Sequence, residues 1–295
     1  MYGAAGQEWI DEQSEPNPIT PYGLSKWNAE IELSQLAGDQ FSPVFLRSAT
    51  AYGFSPRIRF DLVLNNLTAH AFTSGKVLLK SDGMSWRPIV HIEDIGRAFV
   101  AAIGAPVETV HNETFNVGIT TENYRIREIA QIVEETVPGS RVEFAAGAGA
   151  DKRTYRVDCS KISRLLPKFR PQWTAPRGAR DLYSRCSEYG LLLEDFEGAR
   201  YQRLAYLQSL MARGAISQNE TAVSTHVERS KGPAGLLREI AHSAERSPLF
   251  WWMVEHHDAL AQAAEVWCTA LGYTESRQSL GNCRVLSAVV AGAAT

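Results

Sequence analysis

The spacing of apolar residues alternates between helical and strand-like patterns along residues 1–215. A polar loop is predicted from Gln7 to Thr20, followed by a helix that begins near Pro21. Its apolar positions recur at roughly helical spacing, at Leu24, Trp27, Ile31 and Leu36. Residues 43–47 are an almost continuous apolar run, which is typical of a strand buried on both faces of a parallel sheet.

The same alternation continues toward residue 213. Further helices are predicted over 60–73, after Asp94, over Ile126–Val137 and over most of 178–213, and further strands over Lys76–Lys80, 88–92 and Thr114–Gly118. Asp94 is predicted as the N-cap of its helix. Strands that alternate with helices are typical of an α/β architecture. The sequence therefore predicts an α/β fold rather than a sandwich or a bundle.

The character of the sequence changes near Ser217. Residues 216–235 are polar and contain a Gly-Pro break, which predicts a linker. Residues 236–295 are interpreted as an appended helical tail that holds three of the seven tryptophans. Trp251 and Trp252 either dock a protein partner, as an exposed apolar patch would, or pack back on the main domain.

Composition excludes several classes of protein. The 295 residues include 30 Lys and Arg against 33 Asp and Glu, a net charge of −3, so nucleic-acid binding through phosphate contacts is not expected. The four cysteines lie far apart, which argues against a disulfide scaffold or a metal site. No signal peptide is found, and no apolar stretch reaches the ~20 residues that span a bilayer. A cytoplasmic protein without membrane partners is expected.

One pair of residues has the spacing of an acid–base catalyst. Tyr22 and Lys26 are four residues apart on the predicted helix, so their side chains project from one face. A free phenol titrates near ~10, and a neighbouring ammonium favours the phenolate. The pair suits general acid–base catalysis near neutral pH, although the same spacing also occurs by coincidence on solvated helices.

The surrounding motifs give this pair a context. In order along the chain they are Tyr2-Gly3, Pro18-Ile-Thr-Pro-Tyr-Gly-Leu-Ser-Lys26, Leu46-Arg47, Tyr52-Gly53, Asn65-Asn66-Leu67, Arg87-Pro-Ile-Val-His-Ile-Glu-Asp94, Phe115-Asn-Val-Gly118 and Asp151-Lys-Arg153. Together they resemble the extended short-chain dehydrogenase/reductase family, in its NAD-dependent epimerase/dehydratase branch that acts on nucleotide sugars. The resemblance covers roughly residues 1–215.

This resemblance implies the C-terminal portion of a Rossmann-type, doubly wound parallel sheet with a smaller α/β substrate-binding domain. Residues 1–50 would be the remainder of the dinucleotide-binding domain, including the catalytic helix. Residues 51–215 would be the substrate-binding portion, with a late strand that returns to the main sheet. Relatives are often dimers, so a homodimer is also implied, with a nucleotide sugar as the substrate.

The family's functional residues can be carried over position by position. Tyr22 would be the acid/base at the sugar hydroxyl, and Lys26 would contact the nicotinamide ribose of NAD. Arg87 would bind the substrate's diphosphate, a role that suits a guanidinium fork. Two further contacts are implied for one of the pair Asn65 and Asn66 and for Arg153.

Each of these contacts has a structural alternative. Arg87 could be a surface ion-pair partner, Asn65 or Asn66 a capping amide, and Arg153 purely structural. His91 is interpreted as a packed or hydrogen-bonded side chain rather than a catalyst. Thr50 stands where relatives often carry a substrate-contacting asparagine, so that contact is in doubt.

The glycine-rich turn that binds a dinucleotide is not found. Such a turn follows a first strand and opens a helix, so that backbone amides meet the pyrophosphate. Gly3-Ala-Ala-Gly6 has no strand before it, and Gly147-Ala-Gly149 has no third glycine. In the family the turn begins the chain, so the cofactor half, on the order of 100 residues, is expected upstream. It would also hold the residue that distinguishes NAD from NADP.

The sequence is therefore interpreted as the catalytic-helix and substrate-binding portion of an NAD-dependent nucleotide-sugar epimerase or dehydratase, with impaired activity alone. The strand around Val44–Leu46 is expected to lose a neighbour and leave an unpaired edge. The alternative is a non-catalytic remnant that binds a sugar nucleotide or dimerises.

Overall fold

A computed structural model describes residues 2–3, 9–55, 58–149, 154–198 and 200–213. The chain divides into two units, Met1–Thr221 and Ala222–Thr295, and everything described lies in the first. The predicted linker 216–235 and the predicted helical tail 236–295 fall outside the described residues, as does Arg153.

Helices and strands alternate along the described residues. The strands are β1 (Trp9–Ile10), β2 (Val44–Ser48), β3 (Thr50–Tyr52), β4 (Lys76–Ser81), β5 (Trp86–His91), β6 (Glu113–Val117), β7 (Asn123–Arg125), β8 (Arg141–Gly149) and β9 (Arg156–Val157). The helices are α1 (Pro21–Ser34), α2 (Val63–Ser74), α3 (Ile92–Ile103), α4 (Val107–Val110), α5 (Ile126–Thr136), α6 (Ser160–Leu165), α7 (Ala175–Glu188), α8 (Leu193–Glu197) and α9 (Arg203–Ala212).

Most strand pairs are parallel, as the predicted α/β class requires. Parallel pairs join β1 to β9, β2 to β6, β3 to β5 and β4 to β8, whereas β5 and β7 run antiparallel. The α/β fold class is confirmed. The predicted polar loop from Gln7 to Thr20 is wrong in part, because β1 lies within it. Its buried residue Ile10 forms a parallel pair with Val157.

Two apolar cores stabilise the first unit. The larger core joins α2, α5 and α7 to β4 and β5, and its fully buried side chains include Leu64, Leu79 and Ile129. The smaller core joins α3 and α6 to β6, around Phe115 and Ile162. Each core is flanked by parallel strands, so the crossover helices cover the sheets in the manner of βαβ units.

Strand β2 departs from the prediction of a strand buried on both faces. Val44, Phe45 and Leu46 are only partly buried. Among the described residues, β2 pairs only with β6, through five consecutive register positions from Val44 opposite Glu113 to Ser48 opposite Val117. A strand with one paired edge has less cover than the interior strand that an apolar run predicts.

Helix α3 begins one turn earlier than the predicted cap would place it. His91 is the N-cap, and its Nδ1 accepts a hydrogen bond from the Glu93 N–H at 3.2 Å. Asp94 instead lies inside the helix and is 1% exposed. Its carboxylate accepts hydrogen bonds from the backbone N–H groups of Gln172 and Trp173, both at 2.9 Å. The predicted capping role of Asp94 is therefore wrong for α3.

Asp94 and Glu122 together fix the segment that enters α7. Glu122 Oε2 accepts a hydrogen bond from the Ala175 N–H at 2.7 Å, so two buried carboxylates from separate elements bind consecutive parts of one segment. The Arg97 guanidinium donates to Asp94 at 2.8 Å and compensates its buried charge. Helix α3 packs in the smaller core and α7 in the larger one, so this segment joins the two cores.

Candidate active site

Helix α1 presents the predicted catalytic pair from its first two turns. The Thr20 hydroxyl accepts a hydrogen bond from the Gly23 N–H at 3.0 Å, and Pro21 occupies the first helical position. Both features favour a helix that begins at this point. With the helix beginning at Pro21, Tyr22 and Lys26 lie about one turn apart along the helix axis.

The structure brings Tyr22 and Lys26 together. The Lys26 Nζ atom lies 5.5 Å from the centre of the Tyr22 ring, within the range of a cation–π contact. Tyr22 is 61% exposed, so its phenol can be reached from outside. The pair thus forms an accessible phenol beside an ammonium group, on one face of one helix.

Arg59 also interacts electrostatically with Tyr22, and sequence reasoning did not find it. Its guanidinium donates two hydrogen bonds to Asp61, at 3.0 and 2.6 Å. These bonds raise the pKa of Arg59, and the Tyr22 phenol acts in the same direction. Arg59 is therefore close enough to Tyr22 for an electrostatic interaction. No spacing signal indicates Arg59, because it belongs to the segment before α2 whereas Tyr22 is on α1.

Asn65 and Asn66 have different surroundings. Asn65 is 2% exposed, and its Oδ1 accepts from the Gly53 N–H at 3.0 Å while its Nδ2 donates to the Arg59 carbonyl at 2.9 Å. Asn65 therefore fixes the loop that carries Arg59. Asn66 is half-buried, and its Nδ2 donates to the Phe60 carbonyl at 2.7 Å. Of the two, Asn66 is the more accessible from outside.

Arg87 lies at the start of β5, opposite Tyr124 of β7. Its Nη1 donates to the Trp86 carbonyl at 2.7 Å, and its side chain is half-buried. Arg87 is on a different element from the tyrosine–lysine pair, so the predicted site residues come from α1, α2 and β5. Thr50 is the first residue of β3 and pairs with Ile89 of β5.

An alternation of aromatic and cationic side chains fixes the strand that carries Arg87. The Arg156 guanidinium lies 4.4 Å from the Trp9 ring centre and 4.9 Å from that of Trp86. Arg125 lies 5.1 Å from the same Trp86 ring. These contacts join β1, β5, β7 and β9 at one place, next to Arg87 in sequence.

His91 is packed, as the sequence analysis interprets it. It is 3% exposed and stacks on Trp173, with ring centres 3.7 Å apart and planes at 10°. Burial lowers the pKa of His91 to about 4, because a desolvated imidazolium is disfavoured. A neutral, enclosed ring of this kind supports packing rather than acid–base chemistry.

Neither a reactive cysteine nor a metal centre is found among the described residues. Cys159 and Cys186 are free and buried, and burial raises the pKa of each thiol to about 12, so neither is a reactive thiolate. Within the described part of the chain, no group of three or more His, Cys, Asp or Glu side chains could hold a metal ion. No helix in that part is long and apolar enough to cross a bilayer.

Solved structures share this fold. The chain aligns with a UDP-glucuronic acid 4-epimerase from Bacillus cereus, solved with UDP-glucuronic acid and NAD, at a TM-score of 0.54 and 26% identity. The alignment covers 64% of this chain and 59% of that one. A hexosamine 5,6-dehydratase, TunA, aligns at a TM-score of 0.55 and 20% identity over 63% of this chain and 60% of that one, which shows the fold alone. The first unit is therefore a Rossmann-type α/β structure of the short-chain dehydrogenase/reductase kind.

Comparison with protein families points in the same direction. Residues 1–118 match the model of the NAD dependent epimerase/dehydratase family, so this part of the chain is similar to members of that family. The UDP-glucose epimerase YtcB of Bacillus subtilis (strain 168) is 26% identical over 170 residues, 56% of this chain and 51% of the relative. The dTDP-D-glucose 4,6-dehydratase of Mus musculus is 25% identical over 183 residues, 59% and 50% of the two chains. The chain spans about half the length of these relatives.

Proposed function

We propose that this chain supplies the catalytic helix and the substrate-binding portion of an NAD-dependent nucleotide-sugar epimerase or dehydratase. The observation that carries the proposal is the accessible Tyr22 phenol with the Lys26 ammonium 5.5 Å from its ring centre, inside the family-matched residues 1–118. Tyr22 accepts the proton of the sugar C4 hydroxyl during oxidation, with the positive charge of Lys26 beside its ring.

The residues of this chain fit one end of NAD better than the other. The exposed Tyr22 and Lys26 suit the ribose next to the nicotinamide, and NAD when bound supplies the hydride acceptor. No strand in the described residues leads through a glycine-rich turn into a helix, the arrangement that binds a pyrophosphate. We propose that this polypeptide alone binds NAD weakly and has impaired activity.

The substrate end is assigned to three side chains. Arg87 binds the diphosphate through its guanidinium, which matches phosphate oxygens in two directions. Asn66 is the better candidate of the asparagine pair, since both ends of the Asn65 amide already bind backbone groups. Arg153 contributes a second contact at the nucleotide end, as the resemblance implies.

Replacing Arg87 by methionine is expected to weaken binding of UDP-glucose at least tenfold. A hydrogen bond to a charged group contributes about 1.5–3 kcal/mol, and 1.4 kcal/mol corresponds to a factor of ten in affinity. Isothermal titration of the full chain with UDP-glucose measures the change. Arg180→Met is the matched control, because Arg180 is an exposed arginine of α7. Equal affinity for the wild type and Arg87→Met would contradict the assignment.

Titration of the same chain with NAD tests the cofactor proposal. We expect a dissociation constant weaker than micromolar, because the described residues offer no backbone cradle for the pyrophosphate. The UDP-glucose titration is the internal control, because binding of UDP-glucose shows that the protein in the calorimeter is folded. Micromolar affinity for NAD would show that the chain holds the cofactor by other means and would refute this part of the proposal.

The lack of a glycine-rich turn among the described residues favours a second candidate, a non-catalytic module that binds a sugar nucleotide or dimerises. Conversion of UDP-glucose in the presence of excess NAD, followed by NMR, separates the two. The enzyme predicts slow turnover at excess NAD that is lost in Tyr22→Phe, whereas nucleotide-sugar binding with no turnover above that of Tyr22→Phe supports the module.

A further inference from the structure

Helix α1 lies against the β2–β6 pair without an apolar core beneath it. Gly23 is the one buried residue of α1, and neither apolar core includes a residue of this helix. Leu24 and Ile31, which belong to its predicted apolar positions, are 48% and 36% exposed. Since most helices in proteins are stabilised by an apolar face packed on a core, α1 needs another kind of attachment.

Arg47 of β2 supplies that attachment. Its Nη2 and Nε donate to the two carboxylate oxygens of Glu30, at 2.6 and 3.1 Å. The two side chains are 8% and 11% exposed, so this is a buried, bidentate ion pair between α1 and the sheet. The guanidinium also lies 5.6 Å from the ring centre of Trp27, one turn earlier on α1.

The contacts of Arg47 continue across the sheet. Its Nη1 donates to the Tyr2 hydroxyl at 2.8 Å, and that hydroxyl donates to Asn116 Oδ1 at 2.8 Å. Asn116 is the register partner of Arg47 in the parallel β2–β6 pair. Glu30 makes a second link to β6, because its Oε1 accepts from the Thr114 hydroxyl at 3.0 Å.

We infer that Arg47 is a positioning residue that fixes helix α1, and with it Tyr22 and Lys26, on the β2–β6 pair through its ion pair with Glu30. The inference rests on the proposed function only for the catalytic role of the two residues, Tyr22 and Lys26, that α1 carries. A bidentate pair has a defined direction in space, whereas the hydrophobic effect is non-directional. The pair therefore sets the rotation and height of α1 as well as its attachment.

Hydrogen exchange of the full chain, followed by mass spectrometry, tests this role without any ligand. In Glu30→Gln we expect exchange of the amides of α1 to become at least tenfold faster, because one neutral amide cannot replace the paired carboxylate. Exchange in α2 and β4, which belong to the larger core, should change less than twofold. The contrast distinguishes loss of local positioning from general destabilisation.

Glu32→Gln is the matched control, since it removes the same charge from an exposed position of the same helix. It should leave exchange in α1 within twofold of the wild type. Equal exchange in the two variants, or an acceleration in α2 and β4 as large as that in α1, would overturn the inference.

A conservative substitution tests the geometry of the ion pair. It also replaces the Glu30→Gln experiment if that variant does not fold. Arg47→Lys keeps the charge but not the fork, so protection of α1 should lie between the wild type and Arg47→Met. Equal exchange in Arg47→Lys and Arg47→Met would contradict a role for the ion pair. These results do not depend on nucleotide-sugar binding, so failure of the proposed function would leave them intact.

Discussion

Replacing Gly178 by alanine is expected to lower the free energy of unfolding by about 2 kcal/mol. Alanine within a helix ordinarily stabilises by up to about 1 kcal/mol relative to glycine, so the expected change has the opposite sign. A Cβ atom at Gly178 would overlap Cε2 of Tyr52 and lie 3.0 Å from Cδ2. Overpacking of this kind costs about 1–3 kcal/mol, occasionally more.

The Tyr52 ring has little freedom to move away. It is 1% exposed and lies edge-on to His91, with ring centres 5.2 Å apart. Urea denaturation of Gly178→Ala and of the wild type measures the difference. Gly38→Ala is the control, because a Cβ at Gly38 meets no atom within 4 Å. A Gly178→Ala chain at least as stable as the wild type would show that α7 does not pack on Tyr52 this closely.

The sequence predicts the longer elements of this fold well, because their periodicity is local. Helix α1 begins at Pro21, where the sequence predicts it, and the helix predicted over Ile126–Val137 is α5, Ile126–Thr136. Short strands such as β1 and β9 have only two residues each, too few to show any period. They exist because they pair with each other, and pairing between residues 147 positions apart has no signature in a local window.

In the candidate site, too, some residues follow from local spacing and others only from tertiary contacts. Tyr22 and Lys26 could be found from spacing, since one helix carries both. The position of Arg59 depends on a loop that Asn65 fixes through a hydrogen bond. The attachment of α1 by Arg47 depends on the Glu30 carboxylate, seventeen residues earlier in the chain. Such contacts follow from tertiary packing, which neither charge patterning nor helical periodicity encodes.

Asp94 does not cap α3, for a physical reason. Aspartate is a favoured N-cap, and a segment of this composition fits a helix that begins after it. The structure places the N-cap three residues earlier, at His91, whose Nδ1 can accept the hydrogen bond only when it is unprotonated. The carboxylate of Asp94 is thereby available for the segment before α7. The cap of α3 at His91 and the contacts of Asp94 with the segment that joins the two cores are therefore coupled through one neutral histidine.

That coupling makes the stability of the fold depend on pH. The pKa of His91 is lowered by burial to about 4 from an ordinary 6.5, so the unfolded chain binds a proton at this position more readily than the folded chain. Stability is therefore complete above pH 6.5 and is lost as the pH falls toward 4. Between pH 7 and pH 5 the loss from this group is about 2 kcal/mol.

His91→Asn is expected to remove this loss. Asparagine keeps an oxygen that can cap α3 and does not titrate, so the variant is less stable at pH 7 for want of the stacking on Trp173 but loses about 2 kcal/mol less than the wild type between pH 7 and pH 5. Urea denaturation at both pH values measures the two differences. Glu122, whose pKa is raised by burial, is present in both chains, so its opposite contribution cancels in the comparison. Parallel losses in the two chains would mean that His91 is protonated in the folded protein without penalty, and that the stacked ring between the two cores is not held neutral by its surroundings.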